Sequence, residues 1–197
     1  MNTGCKRLMA VVAAAAGVAL AAISQTAPKA HTLTTVSTRK MTDSLHAVIA
    51  ADREAYARLV VQRLAFDTAR LEVSEQWKER DCLPTHAQLL REAASSIQKR
   101  GAEFSYVLRS LWPIDPSHGP QTEVEQAGLE SVARNPERGF YTEETLGGRS
   151  YFTAVYADVA SLSSCVDCHN RHPRSPRHDF RPGEVMGAIV VRVPLEF

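Results

Sequence analysis

Residues Cys165-Val166-Asp167-Cys168-His169 constrain this chain more than any other stretch. Two cysteines with a two-residue gap can each form a thioether to one porphyrin, and a histidine directly after the second is held beneath the iron. The string therefore reads as the attachment site of a single covalent haem c, with Cys165 and Cys168 as its anchors and His169 as proximal axial ligand. Three other chemistries share part of the pattern. A Cys165–Cys168 disulfide and a thioredoxin-type redox pair both leave His169 without a role. A zinc site would need His172 and His178 as third and fourth ligands, across very short connections.

The start of the chain points to export. Lys6 and Arg7 precede an apolar run over residues 8–23, and Ala22-Ile23-Ser24 offers the small residues a signal peptidase reads. Residues 1–24 are expected to be a signal peptide, with retention as an inner-membrane anchor as the alternative. Periplasmic localisation follows, and membrane association would arise only through a retained signal. Removing the signal takes Cys5 with it and leaves Cys82, Cys165 and Cys168, an odd number that cannot all pair. The net charge is +1, and no lysine or arginine run marks a nucleic-acid surface. No DNA or RNA partner is expected.

Residues 25–40 are threonine-rich and expected to form a flexible lead-in to one domain over residues 41–197. Residues 42–70 repeat apolar side chains at helical spacing, with Leu45, Val48, Ile49, Tyr56, Leu59 and Val60 on one side. On that wheel Tyr56 lies mid-stripe and His46 at its edge, both placed to face a haem pocket. Asp52 falls on the same side with Arg53 close by, where a propionate would suit the arginine. Thr85 and Gln88 have capping-box spacing before a helix from His86 to about residue 100. A strand over 104–112 follows, then a second capping box, Thr122 with Glu125, and a short helix ending near Asn135-Pro136. Residues 140–146 and 150–159 flank Gly147-Gly148 as a hairpin, and 186–193 is a closing apolar strand. The class is α+β: a long N-terminal helix, an antiparallel sheet, and the haem between them, on a loop joining two neighbouring strands.

Several strings in order around the haem motif carry a family likeness. They include Leu45-His46-Ala47-Val48-Ile49, Ala51-Asp52-Arg53, Leu111-Trp112-Pro113-Ile114, Glu143-Glu144-Thr145-Leu146-Gly147-Gly148, Tyr151-Phe152-Thr153-Ala154-Val155-Tyr156, and Ser175-Pro176-Arg177. On these the chain resembles a family of periplasmic c-type haem domains with a PAS-like fold, found in bacterial sensor proteins and long catalogued as a domain of unknown function. Thr85-His86 departs from it, since the family tends to carry an apolar-proline pair there. The resemblance implies a mono-haem protein for redox or small-ligand sensing, or for electron transfer. Its partner would be a redox or signalling protein, and a small diatomic molecule its ligand. With the chain expected to stop at Phe197, a signal would leave through that partner.

The resemblance also implies a distal ligand from the N-terminal helix, for which His46 is the matching residue. Tyr56, Met41, Met186, Cys82 and His86 compete. Arg177, in a matched string, is expected to pair with a propionate, whereas His172 and Arg174 read as a solvated loop. No hydrolytic triad or phosphate loop is present, so the chain is not expected to be an enzyme. The rivals are a haem peroxidase-like enzyme and a haem-free module held by zinc or a disulfide.

Overall fold

Alternation of apolar and polar residues in the C-terminal half builds the sheet on which everything else is mounted. The computed structural model describes residues 35–196, and in it four strands form one antiparallel sheet. They are Ser105–Arg109 (β1), Phe140–Leu146 (β2), Arg149–Val159 (β3) and Val185–Pro194 (β4), in the spatial order β1-β4-β3-β2. β2 and β3 form the expected hairpin, and Gly147 and Gly148 both adopt positive φ, 58° and 81°. That backbone is what a two-residue primed turn demands.

β4 lies between β1 and β3 and is buried over almost its whole length. Its continuous apolar run follows from having both faces covered. Ile189 and Val191 point toward the helices Thr38–Tyr56 (α1) and His86–Lys99 (α2), packing with Ile49, Leu90 and Ala94. Ala188 and Val190 point the other way, onto Leu129 and Val132 of Glu123–Arg134 (α3). The α+β class and the long N-terminal helix match the expectation.

Several boundaries move. The expected signal peptide and residues 25–34 of the lead-in lie outside the described residues. α1 starts at Thr38 because Ser37 caps it, its hydroxyl accepting from the Lys40 N–H at 3.3 Å. It continues as a π-helical stretch over Ala57–Asp67. The buried face is Thr42, Ile49, Arg53, Ala57 and Val61, while Val48 and Leu59, placed on the inner stripe by the wheel, are 61% and 58% exposed. Among the described residues no helix is long and apolar enough to cross a membrane.

α2 has its capping box with both halves made by Thr85 and Gln88. At α3 only half forms. The Thr122 hydroxyl accepts from the Glu125 N–H, but the Glu125 carboxylate accepts from the Gln121 N–H at 2.7 Å and is drawn into the core. There Arg192 donates to Glu125 at 2.9 Å and to Glu144 at 2.7 Å, so a fully buried carboxylate has a charged partner. β1 is shorter than 104–112 because Ser110 turns the chain away: its N–H donates to the His118 carbonyl, and its hydroxyl accepts from the Trp112 N–H.

Between β3 and β4 the chain leaves the sheet over residues 160–184 and returns to the neighbouring strand. The base of this excursion is closed by Ala160 N–H to the Glu184 carbonyl and Gly183 N–H to the Ala160 carbonyl, each 2.9 Å. A short helix, Ser163–Arg171 (α4), stands on it at the end of the sheet.

The α3 contact with the sheet depends on a missing methyl group. A Cβ at Gly128 would lie 2.5 Å from Val155 Cγ2 and 3.1 Å from Phe140 Cδ1. Alanine gains about 1 kcal/mol of helix propensity, but overpacking a close-packed site costs about 1–3 kcal/mol. Gly128→Ala should therefore destabilise the fold, and by less in a Val155→Ala background, giving a favourable coupling in a double-mutant cycle read by urea unfolding.

Candidate functional site

α4 carries Cys165, Cys168 and His169, residues at i, i+3 and i+4, which project from one face of a helix. The expected attachment loop is thus a helix. Val166 buries its back, and Cys165, at the edge of the cavity-facing side, packs with it in a cluster with Ala160, Phe180 and Met186. The Asn170 side chain fastens its C-terminal end, donating to the Phe180 carbonyl at 2.9 Å and accepting from the Phe180 N–H at 3.0 Å. Phe180 then stands edge-on to the His169 ring, centroids 5.9 Å apart at 82°. The imidazole is oriented by packing while its Nδ1 is buried with no hydrogen-bond partner.

This face borders a cavity of about 770 Å³ at the end of the sheet, within the usual range for cofactor sites. Its other walls are the later part of the long helix (Arg53, Val61, Phe66), the start of α2 (His86, Ala87, Arg91), the end of β1 with the turn after it (Leu108, Arg109, His118), and the residues 73–76. The long helix bounds one side only, so the cavity sits at the sheet end instead of between helix and sheet face. Glu75 joins two walls, accepting from Arg174 at 3.0 Å and lying 3.3 Å from His172 Nε2.

Charge in the cavity is unevenly satisfied. Arg53 pairs with Asp158 at 2.8 Å, both side chains almost fully buried, which accounts for a charge on the helix's inner side without an external acid. Burial pushes the Asp158 carboxyl upward and Arg53 pulls it back. Arg109 Nε is 3.0 Å from Glu125 at an angle too poor for a hydrogen bond. Arg91 makes no ion pair or hydrogen bond among the described residues, its Nε is buried, and burial leads the causes lowering its pKa. A buried guanidinium edge without an acceptor is costly and fits an acidic group on a ligand.

Burial pushes both the Cys165 and Cys168 thiols upward, and both are free. A thioredoxin-type redox pair works instead through a thiol whose pKa is lowered. Among the described residues no three histidine, cysteine or acidic side chains converge to hold a metal ion. His172 is held by Glu75 and the Arg174 N–H, and His178 by the Asn170 carbonyl. Burial, followed by Arg53, His169 and Arg91, pushes His86 down to about 3, so its ring is neutral at ordinary pH.

Other expected site residues are elsewhere. His46 stacks on Tyr156, centroids 4.0 Å apart and 7° from parallel, beside a separate smaller cavity shared with Asp43 and Tyr141. It faces the sheet well before the cavity begins, which corrects its placement beside the attachment site. Tyr56 donates its hydroxyl to the Pro84 carbonyl at 2.9 Å and does not line the cavity. Arg177 pairs with Asp179 and Glu184 at 2.6 and 2.7 Å and covers the Phe180 ring at 4.3 Å, bracing the excursion from behind. Met41 and Cys82 also lie off the cavity, whereas Met186 and His86 line it. Asn170, Phe180, Arg91 and Asp158 were not singled out from sequence; only Asn170, adjoining the motif, had a positional hint.

Fold and site together define an α+β domain that presents a Cys-X-X-Cys-His helix face to a cofactor-sized, arginine-lined cavity. The chain belongs to the Tll0287-like family, whose profile matches residues 21–194. Among solved structures it is similar to the crystal structure of the cyanobacterial heme-protein Tll0287, at 16% identity and a TM-score of 0.51, over 81% of this chain and 98% of that one. No curated protein matches the chain.

The Arg53–Asp158 pair makes stability depend on pH once broken. In Arg53→Met the carboxyl stays buried without its partner, so its folded pKa rises further above the unfolded value of about 4. The folded state then holds a proton the unfolded chain releases, and stability falls as pH rises, by up to ~1.4 kcal/mol per pH unit. Urea unfolding should show a loss of about 3–5 kcal/mol near pH 8, less at pH 5, and recovery when Asp158→Asn is added.

Proposed function

We propose that this chain is an exported, periplasmic, mono-haem c-type protein of PAS-like fold that serves redox sensing or electron transfer and is not an enzyme. The observation carrying this is the single helix face of Cys165, Cys168 and His169 turned into a cavity with an unpaired buried guanidinium edge. Membership of the Tll0287-like family, and a related fold in a protein described as a heme-protein, support it. Each thiol adds across a vinyl C=C, sulfur to one carbon and hydrogen to the other, so attachment consumes no oxidant or reductant. When bound, the haem supplies a one-electron iron couple.

The residues divide the work. Cys165 and Cys168 would tether the haem and His169 would ligate its iron, while Phe180 packs edge-on to that imidazole and orients it. Arg91 is the propionate partner in place of Arg53 and Arg177, whose guanidinium groups already hold protein carboxylates. The physiological partner is a redox or signalling protein, and a diatomic ligand would be sensed only through an open sixth position.

Protein exported with haem-maturation machinery should keep its haem in denaturant and give the spectrum of a covalent haem in pyridine. Cys165→Ala and Cys168→Ala should each retain one thioether, and the double variant should release its haem. A bare polypeptide mass from matured wild type would overturn the proposal, and peroxide turnover far above free haem would favour the peroxidase reading. Arg91→Leu should lower the reduction potential measured by spectroelectrochemistry, because removing a nearby cation disfavours the added electron.

A further inference from the structure

We propose that His86 is the second axial ligand, its imidazole meeting the iron opposite His169 to give a six-coordinate, bis-histidine centre suited to electron transfer. The inference rests on the haem reading above and specifies how that site is completed.

Elimination begins with the candidates. His46, Tyr56, Met41 and Cys82 do not line the cavity. Met186 does, but it packs directly on the attachment helix, in one cluster with Cys165, Val166 and Phe180, and so belongs to the side His169 already occupies. His172 has both ring nitrogens engaged, by Glu75 and the Arg174 N–H. His118 sits on the turn after β1, beside Asp115 and the guanidinium groups of Arg91 and Arg109, where propionates are expected. His86 remains. It is partly buried and lines the same cavity as His169, and neither ring nitrogen makes a hydrogen bond among the described residues.

The backbone beneath His86 is unusually well held for a position at the start of a helix. Thr85, just before it, and Gln88, two residues after it, close the capping box, with the Gln88 N–H on the Thr85 hydroxyl and the Thr85 N–H on Gln88 Oε1. The Gln88 amide reaches the Glu75 carbonyl at 2.7 Å, and Tyr56 holds the Pro84 carbonyl at 2.9 Å. A ligand on such a fixed stem loses little freedom on binding.

Optical and electron paramagnetic spectra of the matured holoprotein test it. Wild type should be low-spin in both oxidation states. His86→Ala should lose that signature, become high-spin, bind carbon monoxide when reduced, and regain the low-spin spectrum on adding imidazole. His86→Met keeps a side chain of similar bulk and should remain six-coordinate with a raised potential, since methionine ligation favours the reduced iron. His46→Ala should match wild type. Low-spin, carbon-monoxide-inert His86→Ala protein, or a five-coordinate wild type, would overturn the assignment while leaving covalent haem intact. Absence of covalent haem would instead sink the broader reading.

Discussion

The architecture depends on how a chain can leave a sheet between two neighbouring antiparallel strands and come back. β3 and β4 are hydrogen-bonded neighbours, so the whole segment between them must start and finish at one end of the sheet. The pair of backbone hydrogen bonds between Ala160 and residues 183–184 closes that base. α4 is thereby fixed over the sheet end, and the bond pair from Asn170 to Phe180 keeps it from pivoting. A free loop could carry the same five residues, but it would not aim two sulfurs and an imidazole from one face into one space.

Charge distribution separates the two ends of the sheet by purpose. On the α3 side Glu125, Glu144 and Arg192 satisfy one another beneath the strands, as buried charges must if they are not to destabilise the fold. In the cavity Arg53 pairs with Asp158 through one terminal nitrogen, its Nε left without a partner, whereas Arg91 makes no ion pair or hydrogen bond at all among the described residues. A protein that pairs its deepest charges elsewhere and leaves this one open has an acceptor still to come. That contrast, more than the cavity's size, is what supports the proposed cofactor site.

The helix wheel over residues 42–70 failed in an instructive way. Periodicity located the helix but misjudged its inner face, because the buried ion pair of Arg53 with Asp158 and the packing of Thr42 and Ala57 set the rotation. Beyond Tyr56 the helix also changes period: π-helical turns hold more than 3.6 residues, so Leu59 swings outward and Val61 inward. His46, in the regular part of the helix, stacks on Tyr156 beside the smaller cavity. His86, with no apolar periodicity pointing at it, stood in the sequence as one candidate among several.

What the amino-acid order determined alone is the local chemistry: the Cys-X-X-Cys-His spacing, the Thr85–Gln88 cap, the Gly147-Gly148 turn and the α+β class, each written within a few adjacent residues. Tertiary structure decided which distant side chains share the cavity, since that depends on where α2, the long helix and the 160–184 excursion meet. Hydrogen-bond caps and turns act over one turn of chain, but a pocket is a coincidence of surfaces, and only packing brings His86, Arg91 and His169 to the same one.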